Sequence, residues 1–163
     1  MANKKITDLT ELTEAASDDY LEIVDTSANA SKKITRDNLS GWHFLTTPLT
    51  STSWDGDSYS TTAKTLIDLS EVFGVPAGVK AVMVRMVARD SGSSTGNCQF
   101  SLSPNAIGDN VAIQAYLQGI PNDVYVSVNG VVPCNANGDV YYLIVASGTG
   151  TLDAIIEIWG YWL

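Results

Sequence analysis

His43 is the single histidine of the 163-residue chain, and it stands between Trp42 and Phe44. An imidazole is the side chain best placed to move a proton near neutral pH or to bind zinc. Neither role is open to it alone. There is no second histidine, and no cysteine or pair of carboxylates lies beside it in the sequence. A Ser-His-Asp triad would have to use His43, yet no serine lies in a GxSxG turn. A histidine that fills a strand position is the expectation. Asp55 and Asp57, in "WDGDSYS" at 54–60, could offer oxygens to a hard cation. Their spacing falls far short of a calcium loop, and a turn held by Asx hydrogen bonds is expected instead. "ASGTGT" at 146–151 is glycine-rich but joins two strand-like runs and opens no helix, so it reads as a hairpin turn rather than a phosphate cradle. Trp54, Tyr59, Tyr116 and Tyr125 could stack on sugar rings, although aromatics of β proteins more often serve the core or an interface. Hydrolysis of a glycan would need paired carboxylates across a groove, and no spacing suggests them. No catalytic residue, metal site or cofactor is expected.

Composition narrows the remaining functions. Nine basic and 18 acidic residues leave a formal charge of −9. Residues 1–40 hold five of the basic and eight of the acidic side chains, and the rest of the chain holds four and ten. An acidic chain with no basic patch repels phosphate, so nucleic acid is not an expected partner. Only 17% of residues are charged, against about 25% in typical soluble domains. Such surfaces suit extracellular, viral or lectin-like β proteins, and chains that hide surface in an oligomer. Cys98 and Cys134 lie outside any CxxC pair and are expected as buried free thiols. "MANKKITDLTEL" has lysines but no apolar stretch behind them, so no signal peptide is expected. No run of about 18 apolar residues is present, and no membrane partner is expected.

The elements that must position these residues fall into two parts, 1–41 and 42–163. In the first, Ile6, Leu9 and Leu12 recur every three residues. "YLEIVD" at 20–25 reads as a strand, "TSANAS" as a loop of about six residues, and "KKIT" as the returning strand of a hairpin. An isolated two-stranded hairpin is not stable in water, so this part must dock on something. From Trp42 onward, strand-like runs alternate with Gly-, Pro- and Asn-rich turns. The runs are 42–47, 48–54, 64–69, 79–90, 97–103, 111–118, 123–132, 139–147 and 151–162. "LSEVFG" at 69–74 is the one helix-like turn. The pattern predicts an all-β fold, an antiparallel, jelly-roll-like β-sandwich.

Two strands are apolar on both faces. In 79–90, Val82, Val84, Met86 and Ala88 share one face, while Met83, Arg85 and Val87 share the other with Ala81 and Arg89. In 151–162, Leu152, Ala154, Ile156, Ile158 and Trp162 are expected on one face and Ile155, Trp159 and Tyr161 on the other. A sheet with one solvated face should alternate cleanly. The second face is covered either by a loop of the same domain or by sister subunits. The charge-poor composition favours sister subunits, with Met83, Arg85, Val87, Ile155, Trp159 and Tyr161 as the interface.

"KKITDLTELTEA…DDYLEIVDTSANASKKITRDNL" resembles the N-terminal segment of bacteriophage virion proteins, including tail fibres, tail spikes and head-attached fibre or decoration proteins. The shared pattern is "KIT-LTEL", then "D-L-IVD-S", then "KKIT-NL", and it covers about a quarter of the chain. "DGDSYSTTAKTLIDLSEVFGVPAGVKAVMVRMVARDSGS" resembles, more loosely, the β-domain of accessory virion proteins. The resemblance implies a non-enzymatic capsid decoration (cement) or short head-fibre protein, found in the virion and assembled in the host cytoplasm. It also implies a homotrimer attached through its N-terminal arm to a capsid or other virion protein. Ile6, Leu9, Leu12, Tyr20, Leu21, Ile23, Val24, Ile34 and Leu39 are the expected anchor residues. A tail-fibre module that binds a receptor or glycan is the alternative.

Overall fold

The computed structural model describes residues 41–51, 53, 54 and 63–163, together with the backbone of two strands within 20–35. The chain divides into two compact units, Met1–Ser40 and Gly41–Leu163. In the first unit β1 (Tyr20–Asp25) pairs antiparallel with β2 (Ala30–Thr35), which sets Leu21 opposite Ile34 and Glu22 opposite Lys33. The returning strand begins at Ala30, before the two lysines, so the connection is shorter than the six-residue loop read from "TSANAS". Tyr20, Leu21, Ile23 and Val24 lie on β1 and Ile34 on β2. Ile6, Leu9, Leu12 and Leu39 lie outside the described residues.

The second unit is built from β3 (Trp42–Leu49), β4 (Thr65–Ile67), β5 (Ala81–Asp90), β6 (Gln99–Ser103), β7 (Ile113–Tyr116), β8 (Val126–Pro133), β9 (Val140–Val145) and β10 (Leu152–Trp162). They form two four-stranded antiparallel sheets, ordered β3-β10-β5-β8 and β4-β9-β6-β7. The pairings nest: β6 with β7, β5 with β8, β4 with β9 and β3 with β10. The eight strands therefore behave as one long hairpin, rolled until β10 also meets β5 and β9 meets β6. That is the jelly-roll arrangement, which stacks two sheets around one core.

Alternation makes the core. On β5, Val82, Val84, Met86 and Ala88 are buried, and on β10 so are Leu152, Ala154, Ile156 and Ile158. They pack with Phe100, Leu102, Ala115, Tyr142 and Ile144 of the second sheet. Each large apolar side chain so buried contributes about 1.5–3 kcal/mol. The runs expected at 42–47 and 48–54 are in fact one strand, β3, followed by a loop. Pro48 is tolerated inside it because β3 is an edge strand and its missing N–H breaks no ladder. "LSEVF" forms the short helix α1 (Leu69–Phe73). Asp68 caps its start by accepting from the backbone N–H groups of Ser70 and Glu71, and Gly74 ends it with φ 73°. The capping bonds, with the Ser70 hydroxyl foremost, hold the Asp68 carboxyl below its ordinary value.

Candidate interaction surface

The outer face of the sheet β3-β10-β5-β8 carries most of the residues singled out for an interface. Register assigns it row by row. At one end of the sheet Arg89 of β5 stands opposite Asp153 of β10, and two rows on Arg85 stands opposite Glu157. Both pairs are ion pairs, each with an N–O distance of 3.0 Å. Arg85 also donates to Ser127 Oγ at 3.2 Å. Arg89 lies 4.9 Å from the centre of the Tyr125 ring, and first of all its bond to Asp153 raises its guanidinium pKa. Between these rows Val87 faces Ile155. Val87 is buried among its neighbours, whereas Ile155 is 45% exposed. Both charged rows are electrically closed, because each cation has its anion on the next strand.

Toward the other end the face turns apolar. One row aligns Phe44, Gly160, Met83 and Val131, and the next aligns Trp42, Trp162, Ala81 and Pro133. Phe44 is 71% exposed, Val131 47% and Trp162 43%. The rings form a cluster: Trp42 stacks near Phe44 at 6.2 Å between centroids and meets Trp162 at 5.6 Å. Phe44 lies over Gly160. A Cβ there would come within 2.8 Å of the His43 carbonyl oxygen and 3.6 Å of Phe44. Glycine is required by this close approach.

A β-bulge on β10 corrects the assignment of Tyr161 and Trp162. Ile158 pairs with Val84, but Gly160, two residues on, pairs with Met83, the very next residue of β5. One extra residue in a strand inverts every side chain beyond it. Tyr161 therefore stands opposite Val82 and packs against the core, on the other face from Ile155. It stacks on His43 at 5.2 Å, which gives the lone imidazole its strand-filling role. Trp162, expected among the core residues, joins the outer face instead. Trp159, at the bulge, donates its indole N–H to Glu157 Oε2 at 3.3 Å. Met83, Arg85, Val87 and Ile155 share the outer face as expected. The aromatic end (Trp42, Phe44, Trp162) was missed, although Gly160 inside an apolar strand was a legible sign of a bulge.

The outer face of the second sheet differs. Register places Leu66, Tyr141, Leu143 and Val145 there with Gln99, Ser101, Ser103, Gln114 and Tyr116. No charged residue is among them. Gln114 donates to Gln99 Oε1 at 2.6 Å, so amides and hydroxyls separate its apolar groups.

Of the aromatics considered for sugar stacking, Trp54 belongs to the interior edge of the core. It stacks on Phe100 at 5.9 Å and meets the edge of Tyr142 at 5.5 Å. One face of its ring is thus already covered. Cavities of about 220 and 360 Å³ flank it, the first reaching Asp153 and Ile155, the second Asp68 and Glu71. Tyr116 and Tyr125 are exposed. Tyr59, Asp55 and Asp57 lie outside the described residues.

One further polar feature stabilises the unit. Asp90 is fully buried at the end of β5. Its Oδ1 accepts from Gly92 N at 2.7 Å and from Ser147 Oγ, and its Oδ2 accepts from Ser147 N and Thr151 Oγ1, each at 3.0 Å. "ASGTGT" is thus the β9–β10 turn, and its hydroxyls serve a structural carboxylate. Burial alone would raise the Asp90 pKa, but these hydrogen bonds outweigh it and hold the carboxyl below its ordinary value. Both cysteines are free: Cys98 is buried and Cys134 half-buried. Burial, with Asp139 nearby, pushes the Cys134 thiol up to about 12. Burial and then Asp90 raise that of Cys98.

Among the described residues, no group of three His, Cys, Asp or Glu side chains is placed to hold a metal ion. No helix among them is long and apolar enough to cross a membrane. No protein-family model matches the sequence, and no curated protein matches it.

Proposed function

We propose that this chain is a non-enzymatic structural protein of a bacteriophage virion, a capsid decoration or short head-fibre subunit. In this reading it assembles in the host cytoplasm as a homo-oligomer, a trimer by resemblance to virion proteins. The N-terminal unit ties the jelly-roll unit to the particle. The observation that supports this best is the outer face of β3-β10-β5-β8. Its charges are closed on themselves and one end of it is apolar, which suits burial against protein. The hairpin β1–β2 supports the anchoring role, because two strands alone need a partner to be stable. Attachment of several identical subunits to a shell multiplies weak contacts into firm binding.

The test is particle binding. The full chain and a form lacking residues 1–40 are mixed with virions or empty capsids stripped of accessory proteins, and each is sedimented. The full chain should co-sediment to saturation, and the shortened form should remain in the supernatant while keeping its β-rich circular dichroism. Binding that survives removal of residues 1–40 would refute the anchoring role. Saturable binding to host cells or glycans, with none to particles, would replace this reading with a receptor-binding one.

A further inference from the structure

We infer that copies of this chain meet through the aromatic end of the first sheet's outer face, with Phe44, Trp162, Trp42, Met83 and Val131 at the centre of contact. The inference rests on the self-association half of the reading above and assigns it a place. Three observations carry it.

The first is electrostatic. The chain carries −9 overall, and residues 41–163 hold four basic and ten acidic side chains. Two copies therefore repel unless they meet where the charge is absent or cancelled. The two rows that align Phe44 with Val131 and Trp42 with Pro133 contain no charged residue. The next rows toward the far end carry Arg85–Glu157 and Arg89–Asp153, each cancelled within the chain. No cation or anion on these rows is left to recruit a partner of opposite charge. A second copy presents the same neutral surface and fits it.

The second is exposure. Phe44, Val131 and Trp162 are large apolar groups left open to water on adjoining rows, and Trp42 bridges two of them. On the opposite sheet the exposed Leu66 and Tyr116 stand on the two edge strands, with half-buried Tyr141, Leu143 and Val145 and a row of Ser and Gln side chains between them.

The third is extent. Four strands spaced about 4.8 Å apart, some eight residues long at about 3.3 Å each, present roughly 500 Å². A stable interface buries about 800 Å² per partner, so this face alone supplies roughly three-fifths of that. Its apolar end and ion-paired end match the core and rim of such interfaces. In a closed ring or two-fold dimer, equivalent residues gather around the symmetry axis. Phe44 and Trp162 of each copy then pack on those of its neighbours, with the ion pairs at the periphery.

The experiment is light-scattering mass of the full chain across a dilution series, with Phe44→Ser, Val131→Ser and, on the opposite sheet, Leu66→Ser. Melting curves accompany each variant. Wild type should weigh a multiple of the 17.4 kDa chain and dissociate on dilution. Phe44→Ser and Val131→Ser should each raise the dissociation constant about tenfold or more, as central contacts do, and Leu66→Ser should leave it unchanged. An oligomer insensitive to both Phe44→Ser and Val131→Ser would overturn the assignment while leaving self-association intact. A wild-type chain that stays monomeric at every concentration would overturn self-association itself, and the assignment with it.

Discussion

Replacing Asp90 by Asn tests whether the buried carboxylate is the clasp of the jelly roll. Asn keeps the size and one oxygen but puts an NH2 in place of the other. Gly92 N–H points at one carboxylate oxygen and Ser147 N–H at the other. The Ser147 and Thr151 hydroxyls can turn to accept from an amide, but a backbone N–H cannot. Whichever way the amide is placed, one buried N–H faces a donor. A hydrogen bond to a charged group contributes about 1.5–3 kcal/mol, and an unsatisfied buried group costs about 1–3 kcal/mol. With partial relaxation, the expected loss is roughly 3 kcal/mol. For a unit of this size, about 4 °C of melting temperature accompanies each kcal/mol, so thermal unfolding by circular dichroism at pH 7 should fall by roughly 12 °C. The acid limb gives an independent sign. The folded pKa of Asp90 lies below its ordinary 3.8. Its contribution is therefore present above that value and is lost as pH falls through the depressed folded pKa. The gap between wild type and Asp90→Asn should be full at pH 7 and close in strong acid. A variant within about 0.5 kcal/mol of wild type at pH 7 would refute the clasp, as would a gap that does not narrow in acid.

Gly160→Val should press its side chain on the β3 backbone and cost about 1–3 kcal/mol, as overpacking does, read from a urea midpoint. Met86, with no exposed surface, should lose about 2–5 kcal/mol on change to Ala. The Cys134 thiol, pushed up to about 12, should react with a disulfide reagent at pH 8 far more slowly in the native protein than in denaturant. Arg85→Ala should change monomer stability by no more than about 1 kcal/mol, because its partner Glu157 lies on a partly solvated face. A larger loss in the monomer would show that this ion pair belongs to the core energetics.

Much of the fold was legible because the strands are long and strictly alternating. Val82, Val84, Met86 and Ala88 declared the buried face of β5, and Leu152 to Ile158 did the same for β10. Glycine, proline and asparagine marked every turn between them. What alternation cannot carry is a change of phase. It extended the β10 pattern through Gly160 and so placed Tyr161 outside and Trp162 inside, the reverse of their positions. The Trp54 ring was equally hard to place, since its partners Phe100 and Tyr142 lie more than forty residues away in the sequence. The Asp90 clasp was hidden for the same reason: its partners Ser147 and Thr151 lie more than fifty residues away. The interface reading drew on Met83, Arg85, Val87 and Ile155, which do share a face. The aromatic end beside them escaped because Trp42 and Phe44 come from an edge strand whose partner β10 lies more than a hundred residues away, at the open end of the long hairpin.

That nested order has a consequence for biosynthesis. β10 is the last strand of the unit to be made, yet it lies inside its sheet between β3 and β5. Until it arrives, β3 has no neighbour to pair with, and contacts this remote in sequence form late and slowly. A nascent chain thus lacks Trp162 and cannot seat Phe44 over Gly160. In the proposed oligomer this apolar surface is complete only with the finished sheet, so association through it would follow the arrival of β10.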